Sequence, residues 1–176
     1  MWGKWQENRD ANQAGGRVAA WQPSFSEDIW LLHIIRHMSY EEQQTIEKIL
    51  RTAKTIATVG LSGDPDKPSH KVPAYLQEQG YRVIPVNPGL ESALGEQAYA
   101  SVSDVPEAID VVQIFRPSDE VGPIVDEAIA AGAKAVWMQL GIANEEAAAR
   151  ARAAGLDVVM NQCMKVQHTR WSSPMI

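Results

Sequence analysis

Cysteine occurs once in this chain, as Cys163, so no internal disulfide can brace the fold. With one cysteine and four scattered histidines, no set has the spacing of a zinc site. No apolar run approaches the roughly 20 residues that a membrane-spanning helix needs. Basic residues are outnumbered, 16 Lys and Arg against 22 Asp and Glu, for a net charge of −6. That balance argues against the basic face with which a general nucleic-acid binder neutralises phosphates. A nucleophilic serine motif is missing, as is a pair of carboxylates at strand ends, so no catalytic set is evident. What remains is a chain of 176 residues, 45% hydrophobic and 22% charged, which suits one domain of ordinary size with a proper core. The composition fits a reduced, cytoplasmic protein.

The stretch Thr55 to Leu76, TIATVGLSGDPDKPSHKVPAYL, organises the rest. Ile56 to Val59 is a short β-prone run suited to a strand buried on both faces. Gly60 then allows a turn without a Cβ, with Ser62 and Gly63 close behind. A helix is expected from about Ser69, with Val72, Tyr75 and Leu76 recurring at its period and Gly80 ending it. A strand feeding a helix through such a turn directs backbone N–H groups and the helix dipole at one point, which attracts phosphate. The fingerprint G-x-G-x-x-G is absent; Gly60-Leu61-Ser62-Gly63 stands in its place, followed by a longer loop. By itself the turn fits a bare strand-to-helix connection equally well.

Before this stretch the chain has two textures. Residues 1–37 hold four of the six tryptophans (Trp2, Trp5, Trp21, Trp30) among Gly, Asn and Gln, without a sustained period. They read either as an extension preceding a natural start at Met38 or as a tryptophan-rich arm that docks on a partner. A helix is expected from Ser39, its N-cap, to about Arg51, with Ile46, Ile49 and Leu50 as the buried stripe.

After Gly80, strands are expected at Tyr81 to Val86, Ile109 to Phe115, Ala133 to Leu140 and Leu156 to Met160. Helices are expected from Ser118, an N-cap, to Gly132, and from Asn144 to Ala154. Gln97 to Ala100 suggests a further short strand, and a helical turn begins at Ser103-Asp104; the end of the chain reads as a polar tail. Strand and helix alternate at short spacing, the pattern of a Rossmann-like α/β fold: a doubly wound, mostly parallel sheet of about five strands flanked by helices. Ligands on such sheets bind at the carboxyl ends of the strands. Those ends are Gly60 to Gly63, Asn87-Pro88, Phe115-Arg116 and Gln139 to Gly141.

A nicotinamide dinucleotide is the default ligand of this fold, yet the second strand ends in Val86-Asn87-Pro88, without the acid that holds the ribose of NAD. The loop after Gly60 adds Lys67, Ser69, His70 and Lys71, which suits a ligand with one phosphate more: NADP, or coenzyme A. The pattern VGLSGDPDKPSHKVPAYLQEQGYRVIPVNP, followed by FRPSDEV and MNQCMKVQH, resembles the small CoA-binding protein family. These are stand-alone domains similar to the CoA-binding domain of the succinyl-CoA synthetase α subunit. The resemblance covers roughly residues 40–170 and departs from the family at Lys67, where arginine is usual; lysine keeps the charge but loses the bidentate fork.

The resemblance implies that Gly60, Leu61 and Ser62 hold the pyrophosphate through backbone N–H groups and the Ser62 hydroxyl. It puts Lys67, Ser69, Lys71 and the adjoining Val72 at the helix entrance facing the phosphates. Asn87-Pro88 and Phe115-Arg116 would flank adenine and ribose, and Gln139 to Gly141 the pantetheine arm. Simpler roles stand beside these: Ser69 as a helix cap, Lys67 and Lys71 as solvated charges, Pro88 as a turn residue. Cys163 reads as a small buried hydrophobe, or as a thiol that exchanges with that of CoA. The expectation is a module that binds CoA or an acyl-CoA, without complete catalytic machinery. The competing readings are an NADP-dependent oxidoreductase and a non-catalytic interaction subunit with a vestigial pocket.

Overall fold

The computed structural model describes the backbone of residues 27–173 and the side chains of residues 40–173. The chain divides into two units, residues 1–36 and His37–Ile176. Most of the tryptophan-rich stretch lies outside the described residues. The first helix, α1 (Glu27–Thr52), runs through Ser39, which therefore sits within a helix and not at its N-cap.

The second unit is built on five strands: β1 (Thr55–Val59), β2 (Arg82–Val86), β5 (Val111–Ile114), β6 (Ala135–Met138) and β7 (Asp157–Val159). They form one sheet in the order β2-β1-β5-β6-β7, and every pairing is parallel. Four helices accompany them: α2 (Pro68–Glu78), α3 (Val121–Ala130), α4 (Glu145–Ala153) and α5 (Met164–Ser172). The Rossmann-like expectation holds. In place of a strand at Gln97 to Ala100 there is a two-stranded hairpin, β3 (Ser92–Ala93) with β4 (Glu96–Gln97), and Tyr99 bridges to Val86 beyond it.

Alternation along each strand explains the two cores. Ala57, Val112, Val136 and Val158 face α3 and α4, where Val121, Val125 and Ala128 meet the small residues Ala147, Ala148 and Ala151. On the opposite face Ile56, Val111, Ala135 and Trp137 pack with Ile46, Ile49 and Leu50 of α1, Val72 and Leu76 of α2, and Met164 of α5. Each large aliphatic side chain buried this way contributes about 1.5–3 kcal/mol. Pro85 cannot donate to a ladder and lies in β2, an edge strand, where that loss is tolerated.

Local chemistry corrects three boundaries. Helix α2 starts at Pro68 with Lys67 as its N-cap, so Ser69 is in its first turn and does not cap it. Ser118 opens a 3-10 turn (Ser118–Glu120), and its hydroxyl accepts the Ala143 N–H at 3.1 Å instead of capping α3. The polar end of the chain forms α5, whose buried residues are Met164, Gln167 and His168. Asn144 caps α4 as expected, accepting the Ala147 N–H at 2.9 Å.

Candidate functional site

The turn after β1 brings two strand ends unusually close. Gly60 has φ +81, and a Cβ there would lie 3.0 Å from Arg116 Cδ and 3.2 Å from the Phe115 carbonyl oxygen. Only glycine meets both demands, the left-handed backbone and the close approach. Its N–H donates to the Val86 carbonyl at 2.9 Å.

Beyond it the chain is anchored at each step. Leu61 is fully buried. The Ser62 N–H donates to the Ser69 carbonyl at 3.3 Å, and the Ser62 hydroxyl accepts the Asp64 N–H at 3.1 Å. The Ser62 carbonyl lies 2.7 Å from His70 Nδ1; since a carbonyl only accepts, Nδ1 carries the proton. Two of the three amides expected to face a pyrophosphate, those of Gly60 and Ser62, are thus engaged within the protein.

Asn87, at the end of β2, holds this turn from the other side. Its Nδ2 donates to the Leu61 carbonyl at 2.8 Å, and its Oδ1 accepts the Gly89 N–H at 2.9 Å. An aspartate could not make the first bond. This gives a structural reason for an amide where NAD-binding folds place an acid.

β1 is flanked by β2 on one side and β5 on the other, so the connections leaving β1 and β5 diverge and open a crevice at the carboxyl ends. A cleft of about 550 Å³ lies there, lined by Val59-Gly60, Val86 to Pro88, Ala100 to Val102, Arg116, Asp119-Glu120, Pro123-Ile124 and Glu127. The size is that of a small-molecule site. Arg116 donates from Nε and Nη2 to Glu120 Oε2, at 2.8 and 2.5 Å. Glu127 accepts the Val102 N–H at 2.9 Å, tying α3 to the 3-10 turn Val102–Asp104.

Of the residues expected from sequence, Gly60, Asn87, Pro88 and Arg116 line this cleft. Val72 is buried in the core, and so is Leu61. Lys67 and Lys71 are exposed beside the loop; Lys71 Nζ lies 3.5 Å from Asp66 Oδ1. Ser69 and Phe115 are half-buried, and Gly141 is exposed, its N–H donating to Asn161 Oδ1 at 2.7 Å. Gln139 is buried: Oε1 accepts the Met164 N–H at 3.3 Å, while Nε2 has no hydrogen-bond partner. Cys163, half-buried, precedes α5 and packs against the α2 side of the core.

The cleft's second wall, Ala100 to Val102 with Asp119 and Glu120, lies outside the residues expected from the sequence. Ser101 and Asp104 form a capping box, a spacing visible in the sequence, and Asp119 and Glu120 belong to the 3-10 turn that precedes α3. Among the described residues, no group of three or more His, Cys, Asp and Glu could hold a metal ion, and no helix is long and apolar enough to cross a membrane.

The family model described as a CoA binding domain matches residues 54–169, from the start of β1 into α5. The chain belongs to the CoA-binding domain family. It is 39% identical over 131 residues to the uncharacterized protein YneT of Bacillus subtilis, covering 74% of this chain and 97% of that protein. Over 82 residues it is 38% identical to the alpha subunit of acetate–CoA ligase (ADP-forming) II of Pyrococcus furiosus, 46% of this chain but only 18% of that subunit. Among solved structures, a hypothetical protein from Pyrococcus horikoshii superposes with a TM-score of 0.72 at 42% identity, over 74% of this chain and 92% of that one.

Proposed function

We propose that the chain binds coenzyme A or an acyl-CoA at the carboxyl ends of its sheet, as a binding module without a complete catalytic apparatus of its own. The observation that carries this reading is the cleft beside Gly60, within the very segment that the CoA-binding family matches. Val59, Val86, Val102 and Ile124 give it apolar walls for a flat ring, with Asn87-Pro88 and Arg116 at its edge. The carboxylates of Asp119, Glu120 and Glu127 disfavour a phosphate deep inside, so adenine and ribose enter and the phosphates stay outside. There the first turn of α2, the exposed Lys67 and Lys71, and Arg116 at the rim of the cleft serve them, with the Ser62 hydroxyl still able to donate. The pantetheine arm runs towards Gln139 and Gly141, where the Gln139 Nε2 is a buried donor still to be paired. Similarity to the ligase subunit is confined to a small part of it, which supports a binding role over acyl-group activation.

Calorimetric and melting measurements with CoA, acetyl-CoA, dephospho-CoA, NAD and NADP test the proposal. CoA at about 100 times its dissociation constant should add roughly 2.7 kcal/mol of stability. A response to NADP but not to CoA would sink it. Lys67→Ala and Lys71→Ala should weaken CoA more than dephospho-CoA; equal losses would remove the 3′-phosphate from their charge.

We also propose that Cys163 exchanges with CoA disulfide. Its thiolate attacks one sulfur, a Cys163–CoA disulfide forms, and the second CoA leaves as a thiolate. Intact-mass measurement after incubation with CoA disulfide reads this directly. An unmodified chain that still binds CoA would rule the exchange out.

A further inference from the structure

We infer that Glu120 is an internal competitor for Arg116, occupying the guanidinium until a phosphate of the bound ligand displaces it. The inference rests on the CoA-binding reading of the same cleft. Arg116 is the cation among the residues lining it, facing the carboxylates of Asp119, Glu120 and Glu127. Both of its bonds run to a single oxygen, Glu120 Oε2, from Nε and Nη2. That edge of the guanidinium is the one a phosphate would take in a bidentate pair.

The stem and head of this side chain are held differently. The Cδ of Arg116 lies against Gly60, 3.0 Å from where a Cβ would be, so the stem is pinned where the two strand ends meet. The head is half exposed, as is Glu120, with side-chain exposures of 47% and 45%. An exposed ion pair of this kind is weak enough to be exchanged. Rotation about the terminal torsions moves the guanidinium from Glu120 to an incoming anion without disturbing the stem. Glu120 thereby sets how strongly the cleft holds a phosphorylated ligand, and it disfavours ligands that bring no anion to replace it.

The test is the dissociation constant of CoA and of dephospho-CoA, by calorimetry, for wild type, Glu120→Gln, Asp119→Asn, Arg116→Gln and the Arg116→Gln/Glu120→Gln pair. Glu120→Gln should tighten CoA by about two- to fivefold, the range an exposed ion pair contributes. Asp119→Asn removes the same charge from the same wall but no bond to Arg116, so its gain should be smaller, and high salt should shrink both gains because both charges are exposed to solvent. In the Arg116→Gln background the Glu120→Gln gain should disappear. A gain confined to CoA assigns the displacing anion as the 3′-phosphate; an equal gain with dephospho-CoA assigns it as the pyrophosphate. Equal effects of Asp119→Asn and Glu120→Gln, or a Glu120→Gln gain that survives without Arg116, would overturn the competition while leaving CoA binding intact. Wild-type protein that binds neither ligand would overturn both.

Discussion

The Ser69 carbonyl accepts the N–H of Ser62 at 3.3 Å, across the loop that joins β1 to α2. Within an uninterrupted helix that carbonyl would bind the N–H of residue 73, four positions on, but residue 73 is proline and has none. The proline inside α2 thus releases an acceptor, and the loop at the ligand-facing end of the sheet uses it. What looks like a helix defect is a tether for the loop.

Pro73→Ala restores the helical donor and sets it in competition with Ser62. Melting temperature should hold or rise, because an interior proline disfavours a helix. The Ser62 amide should exchange with solvent faster by roughly three- to tenfold, the net contribution of one hydrogen bond. CoA should bind more weakly as the loop loosens. An unchanged Ser62 exchange rate would show that the proline does not govern the loop.

Gly60→Ala meets two obstacles at once, the φ of +81 and the contacts with Arg116 and Phe115. The backbone conformation alone costs roughly 1–3 kcal/mol. Urea unfolding should show at least that loss, and CoA affinity should drop with it as Arg116 is displaced. A loss below about 0.5 kcal/mol would mean that the two strand ends are not in contact.

Asn87→Asp keeps the acceptor for the Gly89 N–H and removes the donor to the Leu61 carbonyl, leaving two oxygens face to face. The expected destabilisation is about 1–3 kcal/mol in chemical denaturation. The variant also tests whether an acid here converts the cleft towards NAD. The loss of the turn's cross-link should weaken every nucleotide, and a gain in NAD affinity would contradict the scaffold role given to Asn87.

His168 is buried between Tyr75, Tyr81 and Trp171, with Nδ1 at 3.0 Å from the Tyr75 hydroxyl. Burial holds its pKa below the ordinary 6.5. The unfolded chain therefore takes up this proton at a higher pH than the folded chain does. Stability should be full above pH 6.5 and fall as pH drops from there towards the lowered folded value. Denaturation midpoints measured across that interval should lose this slope in His168→Phe. A slope identical to wild type would move the effect to another group.

Much of the fold was legible because the strands are short apolar runs and the helices end in glycines. Ile56 to Val59 and Val111 to Ile114 are such runs, each with one polar residue, and Gly80, with φ +95, lies just past Gln79, the C-cap of α2. Helix α5 escaped notice because its polarity hides a stripe of only three buried residues, among them Gln167 and His168. Ser69 and Ser118 each suit an N-cap locally, through their hydroxyls. Pro68 moves the start of α2 back beyond Ser69, and a long-range partner, Ala143, takes the Ser118 hydroxyl.

The sequence by itself determined the alternating architecture, the glycine turn after β1 and the residues Asn87, Pro88 and Arg116 at strand ends. These follow from period and turn chemistry, which are local. Only the tertiary structure decided which of those residues share a cleft, that Leu61 and Val72 turn inward, and that Arg116 is paired with Glu120. Those outcomes depend on which strands become neighbours across the sheet, and no local pattern of residues carries that information.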